Sequence, residues 1–213
     1  MKEKETQNRK TSFGIKQKIL AIAFGPMTVL GIVVAIFSSS TMKFGMEDEA
    51  IKRLQDVASG VEQALTVVGD GDFQLNDGEL YKGEHNISED LTALEAFTAS
   101  SEIDITLFWG DTRTVTTLID EKTGERMVGT QAADQVAEVV LKNGNKYTDK
   151  DITINGKPYF CCYIPLKNGN GTIVGMIFAG EPSSGIEEYI NNKMLQIILV
   201  IIVILILGGF DII

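Results

Sequence analysis

Two runs without charged residues flank an acidic central segment in this chain. The first covers residues 19–42, and the second covers residues 194–210 and consists mostly of Ile, Leu and Val. At about 1.5 Å per helical residue they extend over roughly 36 Å and roughly 26 Å, compared with about 30 Å for the hydrocarbon core of a bilayer. The sequence therefore predicts two transmembrane helices. A cleaved signal peptide is the alternative for the first run, although the run exceeds the usual h-region and no clear A-x-A site follows it.

The charges beside these runs predict the orientation in the cell membrane. Residues 1–18 carry six Lys and Arg against two Glu, and a basic flank stays on the cytoplasmic side. We therefore expect a cytoplasmic tail over 1–18, an extracytoplasmic domain over 43–193, and two passes through the membrane. Residues 43–193 hold 13 Lys and Arg against 26 Asp and Glu, a net charge of −13. So acidic a surface argues against nucleic acid as a partner.

A long helix is predicted directly after the first run. Apolar residues recur there at alternating spacings of three and four, at Ile51, Leu54, Ala58, Val61, Leu65 and Val68, and the glycines at 69 and 71 end the pattern. Such a seam is typical of a helix that pairs with a second copy and also of a helix that packs on its own sheet. Both interpretations stay open, and the first predicts a homodimer through the 43–69 helix.

The apolar period changes from 3.6 to 2 at Ile103. Before that point, residues 69–88 predict a solvated loop, because their acids do not fit the spacing of a calcium loop, and Ser88 is a candidate N-cap for a short helix. After it, strands are predicted at 103–109, 113–119, 146–154, 159–166 and 172–180, with a helix over 131–142. Hairpins connect most of the strands. The expected fold class is α+β, with the long helix on a five-stranded antiparallel sheet.

The residue types offer little for catalysis or metal binding. His85 is the single histidine, and Cys161 and Cys162 are adjacent on a predicted strand. Neighbouring strand residues point to opposite faces, so a disulfide between the two cysteines is not expected. The usual zinc ligand sets and nucleotide-binding loops are missing from the sequence. We therefore predict no catalytic residue, no metal, no cofactor and no enzyme activity.

The polar hairpin TLFWGDTRTVTTLID, residues 106–120, holds the first candidate binding residues. Strict alternation after its turn places Thr114 and Thr116 on one face, and Arg113, Val115 and Thr117 on the other. Nothing in alternation says which of the two faces is concave.

Hydroxyl and guanidinium groups on strands suit the binding of a small polar molecule. Tyr159 and Tyr163 share a face of a later strand, and Arg113 or Arg126 can grip a carboxylate with two hydrogen bonds. A surface ion pair is the alternative for each arginine. The candidate ligand-binding residues are Arg113, Thr117, Arg126, Tyr159 and Tyr163.

Three stretches resemble a known family: the hairpin above, GERMVGTQA, and INGKPYFCCYIPLKNGNGTIVGMIFAGEP. They are similar to the extracytoplasmic single Cache sensor of bacterial methyl-accepting chemotaxis proteins. The resemblance covers about residues 43–193 and is most specific within 103–182, and the family pattern falls at Gly110, Asp111, Thr112, Arg113 and Thr117. It implies a PAS-like fold whose concave sheet face holds a small ligand such as an organic acid.

The resemblance also implies a function in signal transduction across the cell membrane. It predicts a chemotaxis receptor that binds a small molecule outside the cell and relays a conformational signal through two transmembrane helices. Members of the family continue into a HAMP linker and a signalling coiled coil, so a sequence ending at Ile213 is expected to be a fragment, a truncated gene product or a stand-alone sensor. Two alternatives remain: the sensor half of a histidine kinase or cyclic-dinucleotide enzyme, and a membrane-tethered adaptor with no small ligand.

Overall fold

The computed structural model describes residues 14–99 and 101–210. The chain divides into two units, one formed by Lys43–Glu188 and one formed by Met1–Met42 and Tyr189–Ile213. Residues 1–13 of the predicted cytoplasmic tail lie outside the described part of the chain.

The order of the elements is helix, three short strands, helix, two strands, helix, three strands and helix. In chain order they are α1 (Ile15–Val68), β1 (Phe73–Asn76), β2 (Glu79–Lys82), β3 (His85–Asn86), α2 (Thr92–Thr98), β4 (Asp104–Trp109), β5 (Thr112–Thr116), α3 (Asp134–Ala137) with a π-helical continuation (Glu138–Lys142), β6 (Tyr147–Ile154), β7 (Lys157–Lys167), β8 (Ile173–Pro182) and α4 (Ser184–Phe210).

The first uncharged run lies in α1. One helical segment among the described residues, Ile22–Val68, is long and apolar enough to cross a membrane. Most of the large apolar side chains described in the first run are exposed to the surroundings, for example Phe37 at 73%, as expected where lipid replaces water as the solvent. The second predicted span, 194–210, lies within α4, and the two-pass topology stays a prediction.

A five-stranded antiparallel sheet forms the centre of the unit Lys43–Glu188. Its strand order is β5-β4-β8-β7-β6, so the last strand in the sequence pairs with β4 on one side and β7 on the other. Gly175 permits the close approach of β8 to β4, because a Cβ atom at this position would lie 1.8 Å from the carbonyl oxygen of Phe108. The predicted α+β class, a long helix with a five-stranded antiparallel sheet, is confirmed.

One face of this sheet packs on α1, and we call it the helix face. The buried residues of the seam join buried sheet residues such as Ile105, Leu107 and Ile177 in a single apolar cluster that includes Ile51, Leu54, Ala58, Val61 and Leu65. The seam is therefore occupied by the domain's own sheet. A homodimer through the 43–69 helix stays a prediction, and its contact would use other residues of α1.

The opposite face of the sheet, which we call the second face, is covered by the chain between β5 and β6. Its apolar cluster contains large rings from three strands and valines from α3 and its continuation: Phe108, Leu118, Val136, Val140, Ile154, Tyr159, Cys161, Tyr163, Met176 and Phe178. The two cysteines are free, and Cys161 belongs to the second face while Cys162 belongs to the helix face. The expectation that they point in opposite directions is confirmed.

The prediction of a solvated loop over residues 69–88 is wrong. This stretch forms a three-stranded antiparallel sheet in the order β1-β2-β3. Asp77 and Gly78 both have positive φ, at 51° and 87°, and connect β1 to β2 in a two-residue turn. Phe73 and Leu80 are buried in the helix-face cluster. Since these two are the buried apolar residues within the strands, and the third, Ile87, follows β3, the alternation was too sparse to be recognised among so many acids.

The proposed N-cap at Ser88 is also wrong. The helix α2 begins at Thr92, after Leu91. The Ser88 hydroxyl instead accepts a hydrogen bond from the backbone N–H of Leu80 at 2.8 Å. A serine hydroxyl can accept a hydrogen bond from a strand N–H as readily as from a helix N–H, and here Ser88 accepts from the small sheet.

Two valines of α1 give a matched test of the packing on the helix face. Val61 is fully buried and Val67 is 84% exposed on the same helix. Val61→Ala should lower the free energy of unfolding by about 2 kcal/mol, because it removes buried methyl groups and leaves a cavity. Val67→Ala should change it by less than about 0.5 kcal/mol. Chemical unfolding of the purified full chain in detergent measures both, and equal effects would contradict this packing.

Candidate functional site

A β-bulge in β5 decides which side chains lie on the second face. Val115 and Arg113 pair with consecutive residues of β4, so Thr114 is an extra residue in β5. One extra residue inverts the alternation of side chains along a strand. Arg113 therefore lies on the same face as Phe108 and Thr116, whereas Val115 belongs to the helix face. The predicted grouping of Arg113 with Val115, opposite Thr116, is wrong for this reason.

Arg113 is a buried cation on the second face, with 8% of its surface exposed. Its Nη1 donates hydrogen bonds to Thr130 Oγ1 at 2.8 Å and to the carbonyl of Met127 at 3.4 Å. Its guanidinium carbon lies 5.4 Å from the centroid of the Phe108 ring. Its Nε is buried and has no hydrogen-bond partner among the described residues.

Burial lowers the pKa of Arg113, and the nearby Tyr163 and Asp104 oppose this shift. A guanidinium nevertheless stays protonated in proteins. The second face therefore holds a permanent positive charge with an unused donor.

Asp104, the first residue of β4, supplies a carboxylate to the same site. Its Oδ1 accepts a hydrogen bond from the Thr117 hydroxyl at 3.0 Å, and its Oδ2 accepts one from the Tyr159 hydroxyl at 3.3 Å. Burial raises the pKa of Asp104, while these two hydroxyls and the charge of Arg113 lower it in part. Two of the predicted site residues, Thr117 and Tyr159, are thus brought together by a carboxylate that the sequence reasoning did not single out.

A pair of buried threonines lies between these charged groups. Thr106 and Thr116 are directly opposite each other on β4 and β5, and their hydroxyl oxygens are 2.6 Å apart. Thr106 lies two residues beyond Asp104 and two residues before Phe108, so the three share a face. The period of two along β4 was the signal that could have added Asp104 and Thr106 to the candidates.

Tyr163 completes the second face from β7. Its ring centroid lies 5.0 Å from that of Phe178 and 6.0 Å from that of Phe108. Burial raises the pKa of Tyr163 and raises the pKa of Tyr159 to about 12. Both phenols are therefore protonated at neutral pH, and each can donate a hydrogen bond.

Arg126 belongs to the segment that covers this site, residues 119–131, which we call the strap. Its Nη1 donates to the carbonyl of Thr116 at 2.7 Å, and its Nη2 forms an ion pair with Glu95 of α2 at 2.6 Å. Backbone hydrogen bonds between Arg113 and both Gly129 and Thr130, at 2.8 and 2.9 Å, fix the other end of the strap. Arg126 already has an acidic partner, and in this respect it differs from Arg113.

Three of the five predicted residues, Arg113, Tyr159 and Tyr163, lie on the second face with the Thr106–Thr116 pair, and Thr117 contacts Asp104 at the start of β4. Arg126 lies beside them and ties the strap to β5. An open cleft of about 450 Å³ reaches Asp104 from the end of the sheet where β4 begins, and its other lining residues include Glu102, Lys157 and Ser184. Contact of any of these residues with a ligand stays a prediction.

Residues 85–193 match the family model described as single Cache domain 3, and this match covers just over half of the chain. The chain belongs to this family. The resemblance inferred from the hairpin and the later strands is therefore confirmed, and the unit Lys43–Glu188 is hereafter called the Cache domain. Cache domains are extracytoplasmic sensor domains.

Three solved structures of other sensor domains are similar to this chain. The E. coli DcuS sensor domain is 15% identical with a TM-score of 0.41, and the alignment covers 71% of this chain and 98% of that chain. The ligand-binding domain of the Campylobacter jejuni chemoreceptor Tlp3, in complex with L-valine, is 11% identical with a TM-score of 0.45, covering 83% and 68%. The periplasmic sensory domain of the C. jejuni chemoreceptor Tlp1 is 15% identical with a TM-score of 0.47, covering 74% and 62%. A search of curated proteins gave no match.

The burial of Asp104 predicts a pH dependence of stability. Its pKa is raised in the folded domain above the ordinary value of 3.8, so the folded state binds the proton more tightly than the unfolded chain. Its contribution to stability therefore decreases as the pH rises from the unfolded to the folded pKa. Asp104→Asn removes this charge and can still accept a hydrogen bond from Thr117. The Tm of the variant minus that of the wild type should be larger at neutral pH than at about pH 4. A difference that grows toward low pH would contradict a raised pKa of Asp104 in the folded domain.

Proposed function

We propose that the Cache domain is the sensing part of a membrane-anchored receptor and binds a small carboxylate-bearing molecule through Arg113. The observation that carries this proposal is the buried Nε–H of Arg113, which has no hydrogen-bond partner among the described residues. An unsatisfied buried donor costs about 1–3 kcal/mol, and more when the group is charged. A carboxylate oxygen at this position would satisfy the donor, and the planar guanidinium fits a carboxylate with two parallel hydrogen bonds.

The hydroxyls of Thr117, Tyr159 and Tyr163 suit the remainder of such a ligand. Tyr159 and Tyr163 are protonated at neutral pH because burial raises the pKa of each phenol, and Thr117 lies beside Tyr159 through their shared partner Asp104. Hydroxyls both donate and accept hydrogen bonds, so they can orient a small polar molecule without adding charge. Arg126 is paired with Glu95, and we assign it to holding the strap.

Ligand entry would move the strap, because the strap lies over Arg113 and its residues 127 and 130 are bonded to Nη1 of the same guanidinium. A ligand carboxylate that accepts from Nε–H and Nη2–H would have to enter beside these strap contacts. Binding would therefore favour a domain state in which the strap is displaced or rearranged. A ligand shifts such an equilibrium only by the difference between its affinities for the two states.

We propose that α1 transmits the conformational change of the Cache domain toward the membrane. This single helix, Ile15–Val68, contains both the candidate membrane span and the seam packed on the helix face. The resemblance of the hairpin to methyl-accepting chemotaxis proteins favours a chemotaxis receptor that functions as a homodimer with two transmembrane helices. A histidine kinase or cyclic-dinucleotide enzyme would use the same sensor with a different output. We propose a binding module rather than an enzyme, since the groups described on the second face include hydroxyls, a guanidinium and a carboxylate, and burial raises the pKa of the Cys161 thiol there to about 12.

A matched pair of arginine variants tests the carboxylate site. The full chain in detergent is screened by thermal shift against short monocarboxylates, dicarboxylates, hydroxy acids and amino acids. A ligand at about 100 times its Kd adds roughly 2.7 kcal/mol, or about 5–10 °C in Tm for a domain of this size. Arg113→Lys should abolish the shift, because an ammonium on a flexible chain cannot replace the fixed fork of donors. Arg126→Lys should retain it.

The Tm of each variant without ligand is the control for folding. Loss of the shift in Arg126→Lys together with its retention in Arg113→Lys would assign the ligand to the other arginine. If no carboxylate shifts the wild-type Tm, the proposed function is wrong, and an adaptor that binds no small molecule becomes the better explanation.

A further inference from the structure

We infer that Asp104 sets the charge selectivity of this site: it admits a ligand with one carboxylate and a hydrogen-bond donor at its other end, and it rejects a dicarboxylate. The inference rests on the proposed binding of a carboxylate at Arg113 and specifies the ligand class further. Asp104 then acts as the specificity-determining residue, while Arg113 supplies the attraction common to all the ligands.

The positions of the two charged residues on one face suggest this division. Asp104 and Phe108 are four residues apart on β4, about 13 Å between Cα atoms at roughly 3.3 Å per residue, and Arg113 pairs with Phe108. Arg113 and Asp104 are close enough to influence each other's protonation, yet they form no ion pair in the described part of the chain. The Thr106–Thr116 pair lies between them in the register of the two strands. The positive charge of Arg113 and the negative charge of Asp104 therefore lie on either side of the Thr106–Thr116 hydroxyls.

The hydrogen bonds of Asp104 leave it able to accept from a ligand and unable to donate to one. An ionised carboxylate is purely an acceptor, with about four lone-pair positions on its two oxygens. The hydroxyls of Thr117 and Tyr159 occupy two of these positions, at 3.0 and 3.3 Å. A hydroxyl or ammonium group of a ligand can use the remaining positions. A second ligand carboxylate would meet a like charge in a partly buried setting and would find no donor on Asp104.

Other cations near this end of the site are already paired. Lys157, which lines the cleft beside Asp104, forms an ion pair with Glu121 at 2.5 Å. Arg126 is paired with Glu95. The cleft is lined in addition by the acidic Glu102. A second ligand carboxylate would therefore have to approach two acids and a lysine whose charge is compensated.

Matched ligands of equal length test this selectivity on the full chain in detergent. Succinate, 4-hydroxybutyrate and 4-aminobutyrate differ only in the group opposite the shared carboxylate, and malonate, 3-hydroxypropionate and β-alanine repeat the comparison with a shorter chain. Affinities are measured by calorimetric titration at neutral pH. For the wild type, we expect the hydroxy or amino acid to bind at least about tenfold more tightly than the dicarboxylate of the same length.

Two acid-to-amide variants identify the residue responsible. Asp104→Asn should strengthen dicarboxylate binding on the order of tenfold and weaken binding of the amino acid, because its amide carries no charge and can donate. Glu102→Gln, at an exposed residue of the same cleft, removes one charge without touching the second face and should leave the ratio within about twofold.

The outcomes separate this inference from the proposed function. Wild-type protein that binds no carboxylate of the screen or of these series overturns both. Wild-type protein that binds a dicarboxylate as tightly as its hydroxy analogue overturns the selectivity alone, as does an unchanged ratio in Asp104→Asn. An equal change of the ratio in Glu102→Gln would mean that general surface charge selects the ligand, which also overturns the role of Asp104. The wild-type ratio requires no variant, so the test remains decisive even if Asp104→Asn fails to fold.

Discussion

The β-bulge at Thr114 is the constraint on which the site depends. Without this extra residue Arg113 would project toward α1, into a cluster of buried aliphatic side chains where a guanidinium would find no hydrogen-bond acceptor. With it, Arg113 reaches the second face, stacks on Phe108 and bonds to the strap. A single irregularity in the β4–β5 pairing thus places the buried guanidinium on the second face and not among the aliphatic side chains packed on α1.

The second face combines stabilising and costly interactions. The rings of Phe108, Tyr163 and Phe178 contribute large apolar burial and contacts between aromatic groups. Arg113 and Asp104 oppose this by bringing two charges out of water without direct contact between them. Proteins concentrate such unfavourable burial at functional sites, where a ligand rather than the fold supplies the missing partner. The two arginines have different environments. Arg126 is paired with Glu95 and holds the strap, whereas Arg113 retains an unused donor.

Much of the domain could be predicted because its signals are local. The seam from Ile51 to Leu65 has a helical period, and the later strands have a period of two bounded by Asn-Gly turns, so both elements and their apolar faces follow from spacing alone. The small sheet over 73–86 was missed because its strands are short and only two of its residues are buried apolar anchors. Ser88 was misassigned because a hydroxyl can serve a strand backbone as well as a helix end, and the sequence does not reveal which partner is near.

The sequence by itself determined the elements, the fold class and the residue types available for binding, since periodicity and composition are properties of the chain alone. Only the tertiary structure decided which of those residues meet. The bulge moved Arg113 to the face of Thr116, the pairing of β8 between β4 and β7 brought Tyr159 to Asp104, and α2 placed Glu95 beside Arg126. These encounters join positions far apart in the sequence, and they depend on register and packing. A local sequence pattern does not encode a contact of that kind, because the residues next to each partner in the sequence are the same whether or not the two partners meet in the fold.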